Sequence, residues 1–368
     1  MKNILVFPSG TDAAMEINQA MGRLIHCKLF GVDHPGSGRG KLAYRQYLGE
    51  LEKGAPDFIP RLRKLIEDHA IDMILPASME EAIFLLEHQE LLHTEIMAPA
   101  SHTLMLCNSE EQTDALFHDL LSKSIEHVEL SEYTVCCLTD RHGRLRYSEC
   151  ITIGGDKYAM PDDRIERLSQ KINDRLKLRG AWSYKLRMQN DNYTYLKITS
   201  GIIPEMAVCR NKGVNLAALT LFDWMGHEIE VKAISPELEV QPVRMFRYHS
   251  NYEYDHVYMD LDDTIIMNGR LNTMMMAFLF QCRNEGKKVH LITKHRDNLH
   301  DTLEKFRIHQ LFDSIFWLKH SDEKYRYMKG ERAIFIDDAY SERKKVAEKL
   351  GIPTFEISTV ECLMDWRL

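Results

Sequence analysis

The sequence lacks a long hydrophobic run. No apolar stretch in its 368 residues approaches the length of a membrane span. The opening "MKNILVFPSG" carries one lysine and too short an apolar run for a signal peptide, so it reads as the first strand of a cytoplasmic protein. No two of the eight cysteines (Cys27, Cys107, Cys136, Cys137, Cys150, Cys209, Cys282 and Cys362) form a C-x-x-C pair. Most sit inside apolar segments such as "TVCCL" and "FLFQC". A zinc site has no support from that pattern, and buried reduced thiols do. The 17 histidines likewise show no metal-ligand spacing. Positive charge is not in surplus either: the formal net charge is −8, with both signs interspersed. A dedicated nucleic-acid binder would be basic, so nucleic acid is not the expected partner. Internal repeats and low-complexity tracts are missing too.

What is present is an ordinary globular composition, 44% hydrophobic and 28% charged. The length exceeds one comfortable core, so two or three domains are expected. Residues 1–130 alternate strand-like and helix-like runs: "NILVFP", "DAAMEINQAM", "CKLFGVD", "FIPRLRKLIEDHA", "IDMILPA", "MEEAIFLLEHQELL", "EIMAPA". This rhythm predicts a doubly wound parallel sheet. Residues 131–250 read as α+β. "EYTVCCLTDRHGRLRYSECITI" makes one hairpin at "DRHG", and "AWSYKLRMQ" with "YTYLKITSG" makes a second around "NDN". "DRIERLSQKINDRLKL" and "GVNLAALTLFDWMG" are the helices, the latter stopped by Gly226. From 251 to 368 the βα rhythm returns, beginning with "HVYMDLD".

Three acids follow that strand. Asp260 and Asp262 end "HVYM", Thr293 ends "VHLIT", and Asp337 with Asp338 end "AIFI". Open α/β sheets bind ligands at the carboxyl ends of their strands. If these strands are adjacent and parallel, four acids and a hydroxyl converge on one crevice. Such a cluster calls for a cation, and Mg²⁺ suits sparse carboxylates joined by water or phosphate oxygen. A carboxylate such as Asp260 can then act as nucleophile and Asp262 as general acid and base. Thr293 and a lysine would hold a phosphoryl group; Lys324 is the best placed, with Lys319 and Lys329 close by.

These residues resemble a known family. "DLDDT", "LITK", a downstream lysine and "IFIDDAYSERKKVAEKLGIP" are similar, in order, to the motifs of the haloacid dehalogenase superfamily. The resemblance implies a capless Rossmann-like domain with a parallel sheet. Asp260 would be the nucleophile that forms an aspartyl phosphate, and Asp262 the acid/base. Thr293 and Lys324 would orient phosphate. Mg²⁺ would be held by Asp260, Asp337, Asp338 and the main-chain carbonyl of Asp262. The second acid favours phosphoester hydrolysis over dehalogenation. Only one helix separates Asp262 from Thr293, so no cap domain fits and the site is expected to be open.

Residues 1–235 resemble the ATP-grasp superfamily, particularly carbamoyl-phosphate-synthase-like proteins. The likeness is carried by "ILVFPSGTDAAMEINQAM", "GVD", "IDMILPASMEEAIFLL", "EYTVCCLTDRHGRLRY", "YLKITSGIIP" and "GVNLAALTLFDWMG". Only "NSEEQTDALFHDLLSKSIEHVEL" stands where family enzymes carry a nucleotide-covering subdomain. Lys197 and Thr199 stand where metal-binding side chains are expected, Gly201 replaces an arginine, and Lys185 replaces another metal ligand. Two lysines exclude Mg²⁺ from that place, so the region reads as a degenerate ATP-grasp domain in which Lys185 and Lys197 attract an anion.

The expectation is therefore a cytoplasmic, Mg²⁺-dependent phosphatase, its ATP-grasp remnant recognising substrate or shielding the open site. The partner would be a small phosphorylated metabolite, or a larger phosphorylated substrate admitted by the missing cap. A homo-oligomer would let a second subunit cover the site. Two alternatives stand beside it: a compact ATP-grasp ligase coupled to a phosphatase domain, and a non-catalytic binding or regulatory protein.

Overall fold

A computed structural model of the chain describes every residue except 121–130, 152–162, 190–191, 235–237, 239, 242, 244 and 368. The chain divides into two compact units, one of residues 1–244 with 367–368 and one of residues 245–366.

The first unit begins with β1 (Lys2–Phe7), α1 (Asp12–Met21), β2 (Cys27–Asp33), β3 (Gln46–Glu50), α2 (Phe58–Asp68), β4 (Met73–Pro76), α3 (Met79–Glu87), α4 (Gln89–Leu92), β5 (Glu95–Ile96), α5 (Ser101–Asn108) and α6 (Glu110–Leu120). The five strands form one parallel sheet in the order β3-β2-β1-β4-β5. Strand β1 shows why the sheet is covered on both faces. Ile4 and Val6 join the core that includes Ala14 and Ile17 of α1, whereas Leu5 and Phe7 join the core of Phe58, Leu62 and Ile66 of α2. Alternation along a strand sends its side chains to opposite faces, so four consecutive apolar residues need two helical layers. Helix α1 starts where the Thr11 side chain accepts the Ala14 N–H at 3.1 Å.

The same unit continues with β6 (Ser131–Thr139), β7 (Leu145–Ile151), α7 (Asp163–Leu176), β8 (Gly180–Gln189), β9 (Asn192–Ser200), α8 (Met206–Asn211) and α9 (Leu216–Trp224). Here the sheet is antiparallel, in the order β7-β6-β8-β9. Helix α7 buries Ile165, Leu168, Ile172 and Leu176, the three-and-four spacing of one helical face. A buried polar chain closes the core beside it: Trp182 Nε1 donates to Thr139 Oγ1 at 2.9 Å, and Thr139 Oγ1 donates to Asn173 Oδ1 at 2.6 Å. The hairpin turn expected at "NDN" falls at residues 190–191, outside the described residues. The stretch read as one helix from Gly213 begins instead at Leu216, capped by the Asn215 side chain, because Gly213 adopts a left-handed φ of 86°.

The second unit contains β10 (His256–Met259), β11 (Ile266–Met267), β12 (Arg270–Leu271), α10 (Thr273–Asn284), β13 (Lys288–Thr293), α11 (Leu299–Lys305), β14 (Ser314–Trp317), β15 (Ala333–Ile336), α12 (Tyr340–Leu350) and β16 (Thr354–Phe355). Five strands form a parallel sheet in the order β14-β13-β10-β15-β16. Strand β15 is buried along its whole length. The only sheet structure between Asp262 and α10 is the small hairpin β11–β12, which turns through Asn268 and Gly269, both at positive φ. Among the described residues, no helix is long and apolar enough to cross a membrane.

Candidate functional site

In the second unit β10 sits between β13 and β15, so the carboxyl ends of all three meet at one edge. That edge carries Asp260, Thr293 and Asp337. The carboxylates of Asp260, Asp337 and Asp338 can each place an oxygen within 4.8 Å of the others. Asp260 and Asp337 are buried and Asp338 is exposed. Asp337 is fixed on both oxygens. Oδ1 accepts the Ala339 N–H at 2.8 Å, and Oδ2 accepts from Lys324 Nζ at 2.7 Å.

Lys324 lies on a short 3-10 turn and is itself buried. Its ammonium also stands 2.7 Å from Asp260 Oδ1, as an ion pair. Lys319 and Lys329, the other lysines left open by the sequence, are exposed. Burial pushes the Asp260 carboxyl up to about 6, Lys324 opposing and Asp337 assisting that shift. Burial also raises Asp337, again against Lys324. Burial alone would lower Lys324, but the two carboxylates outweigh it and hold the ammonium above its ordinary range. The three carboxylates therefore share one ammonium, a donor set short of positive charge. It fits a hard divalent ion such as Mg²⁺.

Asp262 behaves differently. Its side chain is half exposed, and both carboxylate oxygens lie 2.9 Å from His295 Nδ1. The other ring nitrogen of His295 faces Thr302 Oγ1 at 2.9 Å. Thr293 is fully buried, and its hydroxyl accepts the His295 N–H at 3.2 Å. Three participants went unnoticed in the sequence. His295 was hidden because a lone histidine in a loop carries no spacing signal. Thr264 accepts the Asp338 N–H at 3.2 Å, and Arg343 donates to the carbonyls of Asp337 and Asp338 at 2.7 and 2.6 Å. The quoted stretches "DLDDT" and "IFIDDAYSERKKVAEKLGIP" contain Thr264 and Arg343, but neither marked them as participants.

The two lysines expected to attract an anion lie on the antiparallel sheet of the first unit. Lys185 of β8 is paired in register with Lys197 of β9. Lys185 Nζ is 3.1 Å from Glu205 Oε1, and its side chain is 43% exposed. Lys197 is exposed as well.

No family model and no curated protein matches the sequence. Solved structures do. Biotin carboxylase from Campylobacter jejuni, in a complex with beta-gamma-ATP, has a TM-score of 0.50 at 9% identity, over 62% of this chain and 72% of that one. This chain has an ATP-grasp-like fold in that region. The multifunctional pyruvate carboxylase of Rhizobium etli is similar at a TM-score of 0.48 and 13% identity, over 62% of this chain. The chain spans only 28% of that enzyme's length. The biotin carboxylase domain of a single-chain bacterial carboxylase gives 0.47 at 12% identity, over 62% and 68% of the two chains.

These likenesses correct the functional expectation. A phosphoric monoester hydrolase working through an aspartyl phosphate was expected, and the similar structure at a TM-score of 0.50 is a biotin carboxylase instead. The likeness extends over 62% of the chain and is one of fold. The motif likeness had drawn the phosphatase reading from about a third of the chain.

Proposed function

We propose that the protein binds Mg²⁺ together with a phosphate group at the carboxyl edge of the second parallel sheet, within a chain of ATP-grasp-like build. The observation that carries this reading is the convergence of Asp260, Asp337 and Asp338 around the buried Lys324. Those three carboxylates, with the main-chain carbonyl of Asp262, would hold the ion. Thr293 and Lys324 would face the phosphate oxygens. Bound Mg²⁺ would neutralise the acids and polarise a phosphate oxygen. The partner bound there is a small phosphate-bearing metabolite. Lys185 and Lys197 are a separate candidate for an anion, whose charge would offset theirs.

The test is calorimetry of the full chain with Mg²⁺, and then with inorganic phosphate in the presence and absence of Mg²⁺. Asp338→Ala removes an exposed ligand, so it should leave metal-free stability within about 0.5 kcal/mol. It should also weaken Mg²⁺ roughly tenfold, about 1.4 kcal/mol. Equal Mg²⁺ affinity in both proteins would sink the reading.

A second reading, ATP-dependent ligation, is favoured by the likeness to biotin carboxylase. It predicts ADP release from Mg²⁺-ATP that requires a carboxylate or bicarbonate co-substrate and survives Asp260→Asn.

A further inference from the structure

Open parallel sheets bind ligands in the crevice outside the carboxyl ends of their strands, and in the first unit that place is the edge of the sheet β3-β2-β1-β4-β5. Strand β1 leads through a short turn, Pro8 to Thr11, into α1, and β2 ends on Asp33. Two buried polar atoms here have no partner. Ser9 is fully buried and Asp33 is 1% exposed, yet Ser9 Oγ and Asp33 Oδ2 make no hydrogen bond. The other Asp33 oxygen accepts the His34 N–H at 2.9 Å. Buried groups of this kind are nearly always satisfied, so a lone hydroxyl after β1 and a lone carboxylate oxygen at the end of β2 point to a missing donor.

Two glycines let the backbone approach these atoms closely. A Cβ on Gly10 would fall 2.3 Å from Asp33 Oδ2 and 1.9 Å from Ser37 Oγ. A Cβ on Gly40 would fall 2.1 Å from Ser9 Oγ. Any side chain at either position would collide with the unpartnered atoms or their cover. That cover is the loop from His34 to Gly40. Gly36 and Gly38 hold φ of 82° and 62° within it, with nothing near either Cα that a side chain would touch. Near its end the loop carries Arg39, which is exposed and reaches Asp12 in the first turn of α1 at 2.6 Å. A guanidinium therefore stands at the positive end of that helix.

We propose that this crevice binds a nucleotide, with ribose hydroxyls donating to Asp33 Oδ2 and Ser9 Oγ and a phosphate lying at the α1 N-terminus beside Arg39. An acid at the end of the second strand and a helix N-terminus after the first are the two groups that open parallel sheets offer to a ribose and its phosphate. Tyr47 and Glu50 line the sugar side: the Tyr47 phenol is pushed up to about 12 by burial and by the Glu50 and Asp33 carboxylates near it. Carboxylates there attract hydroxyl donors and repel phosphate, which orients the ligand. Ser9 Oγ and Asp33 Oδ2 are covered, so the loop from His34 to Gly40 swings out to admit the ligand, and its glycines permit that movement.

The site needs no metal, and that separates it from the Mg²⁺ site of the second unit. The experiment is calorimetry of the full chain in EDTA with AMP, ribose 5-phosphate and inorganic phosphate. AMP and ribose 5-phosphate are expected to bind saturably, and inorganic phosphate at least tenfold more weakly. Asp33→Asn should weaken AMP at least tenfold, Arg39→Ala severalfold, and Asp337→Asn not at all. If Asp33→Asn fails to fold, Ser9→Ala and the exposed Arg39→Ala carry the test. No AMP binding in EDTA would overturn the proposal. So would AMP affinity that is unchanged in the crevice variants, or lost in Asp337→Asn.

Discussion

The parallel sheet of the second unit and the antiparallel sheet of the first treat charge in opposite ways. In the parallel sheet, strands β10, β13 and β15 all point the same way, so the residues that follow them collect at one edge. Asp260 and Asp337 end up buried around a buried ammonium. In the antiparallel sheet, Lys185 and Lys197 are cross-strand neighbours in mid-strand, where side chains stand out from the face. One of them meets Glu205 at the surface and neither is buried. Desolvation makes the first arrangement energetically coupled, and water leaves the second nearly neutral.

The sharpest way to break this contrast is Lys324→Met. It leaves Asp260 and Asp337 buried against one another without their ammonium, a loss of roughly 3 kcal/mol by the cost of opening a buried pair. Urea unfolding should report the loss, and added Mg²⁺ should restore part of it. Stability unchanged from wild type would mean that the cluster is not coupled.

A middle-sized effect is expected at the opposite edge of the same sheet. His256 Nδ1 and His290 Nε2 are 2.9 Å apart, which requires at least one neutral ring. Burial lowers His290 below its ordinary range; His256, Lys329 and Lys288 add to the shift, and Asp313 opposes it. The folded state therefore prefers neutral His290, and the unfolded chain takes up the proton first as pH falls. This contribution is present above the unfolded value near 6.5 and is lost as pH falls through the lowered folded value. His290→Gln should flatten the dependence of stability on pH between about 5 and 7. An unaltered slope would assign that dependence to other groups.

The smallest effect belongs to the antiparallel sheet. Lys185→Ala with Lys197→Ala should change stability by no more than about 0.5 kcal/mol, as exposed pairs do. Unchanged affinity of this double variant for ATP and inorganic phosphate would remove the anion role from both lysines.

Much of the fold was readable because its signals are local. The βα rhythm of residues 1–130 and from 251 onward follows from apolar runs ended by Gly, Pro and capping residues, and the "DRHG" turn sits between β6 and β7. Two of the edge and short elements were not readable. "QYLGE" makes β3 although its residues are only half-buried, and α8 is six residues long. Neither presents a full period of apolar residues. At the site, Asp260, Asp337 and Lys324 were named from motif order. The bond from His295 to Asp262 depended on two loops meeting, and nothing in a run of residues reports that.

By itself, the sequence determined which segments become strands and helices, and that acids follow two strands in the second unit. Hydrophobic periodicity and caps act over a few residues, so they survive in one dimension. Tertiary structure alone decided that β10 lies between β13 and β15, that Lys319 and Lys329 stay exposed while Lys324 is buried, and that Ser9 and Asp33 are buried without a partner. Each of those is a matter of desolvation, which depends on what packs around a group and not on its neighbours along the chain.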